Sequence, residues 1–499
     1  APVIIAAQTK DINGDGQIDR IDLTFSEILD DSGGASLATT SFTLGSSYSV
    51  ASVTTNTGDD QFLRVDVTPK SAVDTDVTPT ITMGASKIAD ADNNMAAQSA
   101  FTPSDGAAPI VTNVNSNTVA GRYEIGDVID VLITFSETVD VTGTPQLTLE
   151  TGGTDAVVDY TSGTTTSVLL FNYTVGSGHA SNDLDYEATS SLALNSGTIK
   201  DRSSNTNNAA LTLATPGDPN SLRANEAIII DGSVPTFVKA WQYDTDLDGN
   251  IDEIVVELSE SVLDASVDYG DFALGSSGTV DGFSSFSSGS RSNTKDAADN
   301  DKYLTLEVSV TGTADVTVAY TDNNTGNDLS DLSGNQAASA SSISTDDQAA
   351  PVIITATTSD NDSDGQIDRI LVTFSEAIDD GNSTLSSSLT VTGYTGASVT
   401  TGSADDAQMT ISFTESGTSD TDVTPDVVLV HTKLEDGDGN KITGSNQTFT
   451  GTGDLAVPVV TNVNSNTVAG RYGAADVIDV LVTFSEPVDV TNTPQIILE

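Results

Sequence analysis

The residues DINGDGQIDRIDLTFSE, Asp11–Glu27, open as an ion-binding turn and close as a β-strand. Ile21, Leu23 and Phe25 alternate with Asp22, Thr24 and Ser26, the period of two expected of a strand with one buried face. Relatives of the whole stretch begin at Asp244 (DTDLDGNIDEIVVELSE) and Asp360 (DNDSDGQIDRILVTFSE). The strand ending alone recurs as VLITFSE at Val131–Glu137 and LVTFSE at Leu481–Glu486. A feature repeated this often belongs to the architecture.

Longer repeats set the organisation. APVIIA at Ala1 returns as APVIIT at Ala350, and VTNVNSNTVAGRY at Val111 returns unchanged at Val460, both 349 residues later. Each unit opens with a small residue and proline, which places domains at 1–107, 108–233, 234–349 and 350–456, the last repeating the first. A fifth, 457–499, repeats the start of the second, so the sequence reads as a window on a longer repetitive protein. Further alternating runs (FLRVDVTP, SVLLFNYTV, YLTLEVSV, QMTISFTE) follow in each, then a polar turn (KIADADNN, TIKDRSSN, LSDLSGN, KLEDGDGN). Short strands at this spacing, with Gly, Asn and Asp turns and no helical period, predict an all-β chain of tandem Ig-like antiparallel β-sandwich domains forming an extended rod.

Charge narrows the function. Asp plus Glu number 73 against 17 Lys plus Arg, a formal charge of −56. Nucleic acid and anionic lipid are excluded as sequence-independent partners by repulsion. Crowded carboxylates also oppose compaction unless cations screen them. With no cysteine, disulfides and thiolate chemistry are ruled out, leaving calcium as the available staple. No apolar run is long enough to span a membrane, so direct insertion is not expected, and APVIIAAQTK lacks the marks of a signal peptide. Only His179 and His431 are present, in different units, so neither a histidine zinc site nor a repeated Ser-His-Asp triad is expected. The chain does not read as an enzyme. Trp241 reads as a core or interface residue, and Arg122 and Tyr123, repeated as Arg471 and Tyr472, as a local turn or contact. Sequons at Asn172, Asn323, Asn382 and Asn446 occur by chance in Ser/Thr-rich sequence and weigh little.

Two sets of acids are candidate Ca2+ ligands. In the loop after the opening strand of the first domain, Asp11, Asn13, Asp15, Gln17, Asp19 and Asp22 fall at relative positions 1, 3, 5, 7, 9 and 12. Asp244, Asp246, Asp248, Asn250 and Asp252, and Asp360, Asp362, Asp364, Gln366 and Asp368, follow the same spacing, which turns alternate oxygens inward around a glycine. Position 12 is Val255 or Leu371 in these copies, so they are not EF-hands. The competing account is a hairpin turn whose Asp and Asn side chains cap their own backbone.

The second set follows from sandwich topology, which brings the FSE strand end, the late polar turn and the incoming linker to one pole. Asp105, Glu137 and Asp201 should meet there in the second unit, Asp231, Glu260 and Asp331 in the third, and Asp347, Glu376, Asp436 and Asp438 in the fourth. Asp454 and Glu486 begin a further set, and Glu27, Asp90 and Asp92 stand at the first pole. Carboxylates gathered from separate segments suit a hard cation. Simple solvated strand ends are the alternative.

The Pro-led opening, the TFSE strand end and the D-x-x-G-N turn resemble bacterial Ig-like domains arranged in tandem in large surface proteins, adhesins and S-layer-associated proteins. YEIGDVIDVLITFSETVDVTGTPQLTLETGG (Tyr123–Gly153) is especially similar to repeats of giant bacterial surface proteins. The resemblance implies seven-stranded sandwiches, an extracellular or cell-surface location and calcium between domains. The expected role is a calcium-rigidified stalk or fibre of a secreted bacterial surface protein, with neighbouring repeats or self-association as partners. An adhesin binding a cell-surface or matrix glycan or a protein, a subunit of a self-assembling filament or surface layer, and an accessory segment of a secreted enzyme are the alternatives.

Overall fold

The structure, a computed structural model, describes all residues except 31–36, 46–47, 56–57, 71, 204–205, 276–277, 285–297, 314, 323–327, 380–388, 401–405, 431–433, 442–446 and 451–452. His431, Asn323, Asn382 and Asn446 lie outside the described residues. The chain forms two compact units: Ala1–Ser233 with Ser333–Asn335, and Val234–Leu332 with Gln336–Glu499.

The first unit holds two hydrophobic cores. In the N-terminal one, strands run in the order Ile4–Lys10, Arg20–Phe25, Phe62–Val67, Val50–Thr55. Facing them is a sheet of Phe42–Leu44, Ile81–Met83 and Ser99–Phe101. In chain order these are A-B-E-D over C-F-G, the constant-type Ig sandwich. The expected alternation is real: Ile21, Leu23 and Phe25 are buried, and Ile21 stands opposite Val65 and Leu23 opposite Leu63.

The second core is more elaborate than the sequence suggests. One 15-residue strand, Val128–Thr142, pairs with Val111–Ser116 and Thr166–Thr174 along its first half. Past an irregularity it pairs with Thr198–Asp201, from Val139↔Asp201 to Thr142↔Thr198. That change of partner occurs around Glu137 and sets Asp201 beside it.

In the second unit, one core is wrapped by a single seven-stranded sheet ordered Phe272–Leu274, Thr317–Tyr320, Ala340–Asp347, Phe237–Tyr243, Ile251–Leu258, Tyr303–Val310, Gly278–Ser284. A parallel pairing, Ala240↔Thr345, joins what would otherwise be two sheets, C-F-G to A-B-E-D. The next core returns to the plain arrangement: Ile353–Ser359, Arg369–Phe374, Gln408–Thr414 and Thr395–Thr400 over Leu389–Val391, Val427–Leu429 and Gln447–Phe449. Beyond it Val460–Asn464 pairs with Leu481–Phe484. The chain is thus all-β with tandem Ig-like sandwiches. Among the described residues no helix is long and apolar enough to cross a membrane.

Trp241 is buried with its ring 6.4 Å from that of Tyr303, as a core residue should be. The Tyr123 hydroxyl donates to the Val119 carbonyl and Tyr472 repeats this with Val468, a local contact, but Gly121–Tyr123 is itself a short strand that pairs in parallel with Ile228–Asp231.

Candidate metal sites

The serine of FSE has a structural task that recurs five times. Its backbone N–H donates to the carbonyl of the residue after the opening proline, at 2.8 to 2.9 Å: Ser26 to Val3, Ser136 to Ile110, Ser259 to Thr236, Ser375 to Val352 and Ser485 to Val459. Its hydroxyl accepts the N–H of that same residue, at 2.9 to 3.1 Å. The incoming segment is thereby clamped to the strand end, and the following glutamate is held at the pole.

In the first unit this brings Asp105, Glu137 and Asp201 together, one oxygen of each lying within 4.8 Å of the others. Three different segments supply them. Asp105 belongs to the linker and accepts the N–H of Ala107 at 3.1 Å, an Asx turn that bends its carboxylate back toward the pole. Asp201, 1% exposed, accepts the N–H groups of Ser203 and Asn207, and the Asn207 amide bridges it to the Ala107 carbonyl at 3.2 Å. Glu137 is 6% exposed, and its Oε1 is buried with no hydrogen-bond partner. A buried carboxylate oxygen without a hydrogen-bond partner, in a group that lies beside two further carboxylates, is costly unless a cation or proton meets it.

The electrostatics agree. Burial, and then the charges of Asp105 and Asp201, push the Glu137 carboxyl up to about 8. Asp105 rises to about 6, through burial and then Asp201 against the hydrogen bond from Ala107.

The second unit repeats the arrangement with Asp347, Glu376 and Asp436, again within 4.8 Å. Asp347 accepts from Ala349 N–H at 2.8 Å, and Asn440 links Asp436 to the Asp347 carbonyl. Oε1 of Glu376 is likewise buried without a partner, and burial followed by Asp347 and Asp436 raises that carboxyl to about 9. Asp347 is raised to about 6, first by burial. Asp438 stands beside this group, lining with Asp347 and Asp315 an open cavity of about 320 Å3.

The remaining pole residues take equivalent places. Asp454 accepts from Ala456 N–H at 3.0 Å, and Oε1 of Glu486 is a third orphan. Asp231 ends strand Ile228–Asp231 of the first unit, while Glu260 follows strand Ile251–Leu258 and Asp331 bridges Val262 in the second. At the first pole Glu27 follows strand Arg20–Phe25, while Asp90 bridges Leu29 and accepts the N–H of Asn94 at 2.8 Å. Asp92 is exposed and donates its N–H to Asp90.

The acidic loops wind tightly on themselves. Asp11 accepts the N–H groups of Gly14 and Gly16, Asn13 that of Asp15, Asp15 that of Gln17, and Asp19 that of Ile12. Asp244 and Asp360 repeat the pattern onto Gly249 and Gly365, and Asp252 and Asp368 close their loops. Oxygens of Asp244, Asp246 and Asp248, and of Asp360, Asp362 and Asp364, lie within 4.8 Å, whereas the first loop has Asn13 in the second place. Gln17 and Gln366 direct their amides to Asp15 and Asp364, and Asn250 accepts from Gly312 N–H at 3.0 Å. Asp22 corrects the expectation: position 12 is already on strand Arg20–Phe25, and its carboxylate pairs with Arg20 at 2.9 Å, because a strand rather than a returning helix follows the loop.

The sequence reading missed the loop that buttresses this pole. Asp74 accepts from Ile18 N–H at 2.8 Å and from the Tyr48 hydroxyl, and its own N–H donates to Gly16 O. Asp420 does the same for Ile367 and Tyr394. Next to Asp74, Thr75 donates to Ser136, as Thr421 does to Ser485. The repeated string DTDVTP at Asp74 and Asp420 was the available signal.

No family model matches the chain, and no curated protein matches it. Among solved structures, it is similar to a titin I-band fragment, I67–I69, at 11% identity, covering 65% of this chain and 94% of that one with a TM-score of 0.20. Domains 1–6 of the surface layer protein SbsC align at 10% identity over 92% of this chain and 68% of that one, TM-score 0.17. An ICAM-5 D1–D4 ectodomain fragment aligns at 10% identity over 90% and 98%, TM-score 0.22.

Proposed function

We propose that this chain is the structural repeat region of a secreted bacterial surface protein, an extracellular stalk or fibre whose joints are stiffened by calcium. The observation that carries the reading is the trio Asp105, Glu137 and Asp201, repeated as Asp347, Glu376 and Asp436, each drawing one carboxylate from a linker, a strand end and a late turn. An ion held by all three would resist bending, because any rotation of the linker must lengthen a bond to oxygen. Calcium fits: the ligands are hard oxygens, their number leaves room for backbone carbonyls and water, and the sequence offers no thiolate to favour a softer metal. The acidic loops are candidate holders of further ions.

The domain boundaries at 108, 234, 350 and 457 belong to this proposal. Self-association or neighbouring repeats are the proposed partners, and no enzymatic role is assigned. One observation favours an adhesive face as a second reading: a groove of about 660 Å3 on the second core, lined by Asp159, Tyr160, Asn172 and His179, offers the mixed polar and aromatic surface that a glycan would use.

Small-angle scattering with calcium and with EDTA tests the stalk. Chelation is expected to shorten and broaden the distance distribution as joints loosen, and an unchanged distribution would refute the stiffening role.

A further inference from the structure

The acidic loops differ from one another at one place. Positions 3 and 4 are Asp246-Leu247 and Asp362-Ser363 in two of them, but Asn13-Gly14 in the first. The residue at position 4 has a left-handed backbone each time, with φ +75° at Gly14, +63° at Leu247 and +60° at Ser363. The turn therefore tolerates a side chain there, at the cost of strain. What glycine changes is access: without a Cβ, its nitrogen can approach the side-chain carbonyl of the asparagine before it.

The loop also holds the groups that such an approach requires. The Gly14 N–H donates to Asp11 Oδ1 at 2.8 Å, so a carboxylate stands on the proton that the nitrogen must lose. Asn13 Oδ1 accepts the Asp15 N–H at 2.9 Å, a donor placed where negative charge develops when Cγ is attacked. Asn13 and Gly14 are exposed, and a Cβ built on Gly14 would meet no atom within 4 Å, so water reaches both.

We propose that Asn13 is a self-modification site, which the folded loop converts to an aspartyl residue through a cyclic imide. The Gly14 nitrogen bonds to Asn13 Cγ and its proton passes to Asp11. The Cγ–Nδ2 bond then breaks, and ammonia leaves with that proton. Water opens the imide at Cγ, restoring the normal backbone with a carboxylate at position 13, or at the backbone carbonyl, routing the chain through the side chain. The first loop thereby gains the acid that the other two carry from the outset as Asp246 and Asp362. Asp246 shows that a carboxylate can hold the same place, since it accepts the Asp248 N–H at 3.1 Å. The inference does not rest on the cation reading.

The test incubates the full chain in EDTA at neutral pH, beside the same chain unfolded in urea and a synthetic peptide of Asp11–Arg20. The tryptic fragment Asp11–Arg20 is followed by mass, where a gain of about 1 Da marks the exchange of amide for acid. The folded chain is expected to convert faster than the peptide and the unfolded chain, by as much as ~100-fold, the low end of what a positioned base supplies. Asp11→Asn should bring the folded chain down to the rate of the peptide, and Asn13→Asp supplies the product for comparison. A folded chain that converts no faster than the peptide would overturn the proposal. So would an Asp11→Asn chain that folds and converts as fast as the parent. The comparison with urea needs no substitution, so misfolding of that variant leaves the test intact.

Discussion

The Thr75 hydroxyl donates to the Ser136 hydroxyl at 2.7 Å, and Ser136 in turn receives the N–H of Ile110 at 3.0 Å. Two residues 61 apart thus tie a loop of the first core to the clamp that holds Glu137. Ser136→Ala removes the acceptor for Ile110 and the partner of Thr75 together. It is expected to cost about 1–3 kcal/mol in denaturant unfolding, whereas Thr75→Val, which removes one bond, should cost about half as much.

Gly16 has φ +85°, and a Cβ there would lie 2.8 Å from Ile110. Gly365 repeats both features, with φ +93° and Val459 at 2.9 Å. Gly16→Ala should therefore be destabilising by about 1–3 kcal/mol from left-handed strain, plus the contact. Gly14→Ala, at φ +75° in open space, should show the strain alone. Paired melting curves separate the two.

Protonation should oppose calcium. Without the ion, folded Asp105, Glu137, Asp347 and Glu376 titrate near 6, 8, 6 and 9, against ordinary values of 3.8 and 4.5. The folded chain then binds more protons than the unfolded chain across that window, so its stability falls as pH rises from about 4 to about 9. With saturating calcium the ligands are ionised in the folded state, and stability is instead lost as pH falls toward 4. Melting temperature against pH, in EDTA and in calcium, should give slopes of opposite sign.

Glu137→Gln keeps the shape and removes the charge. In EDTA the variant is expected to be as stable as the parent near pH 4 and increasingly more stable as pH rises toward 9, because only the parent's unfolded chain gains by ionising this acid. In calcium it should be less stable than the parent. A melt in which both conditions shift in the same direction would reject the charge argument.

Much of this was legible in the sequence because the chain repeats itself. The alternation of Ile21, Leu23 and Phe25 gave the strand and its buried face, and sandwich topology was enough to unite Asp105, Glu137 and Asp201 across 96 residues. Tertiary pairing decided the rest. Asp22 fell both at loop position 12 and within the alternating strand, and spacing alone does not decide between the two roles. The role of Ser136 was hidden, since its partners, Ile110 and Thr75, come from segments that only the fold brings near. The long strand Val128–Thr142 changes neighbours midway, and no local pattern announces that switch.

The central claim is that the carboxylate trios hold calcium. Calorimetric titration of calcium into the full chain, beside the double variant Glu137→Gln with Glu376→Gln, tests it most directly. The account predicts saturable binding by the parent and a variant that has lost the sites of both trios. Identical isotherms for the two proteins, or no saturable binding by the parent, would contradict it.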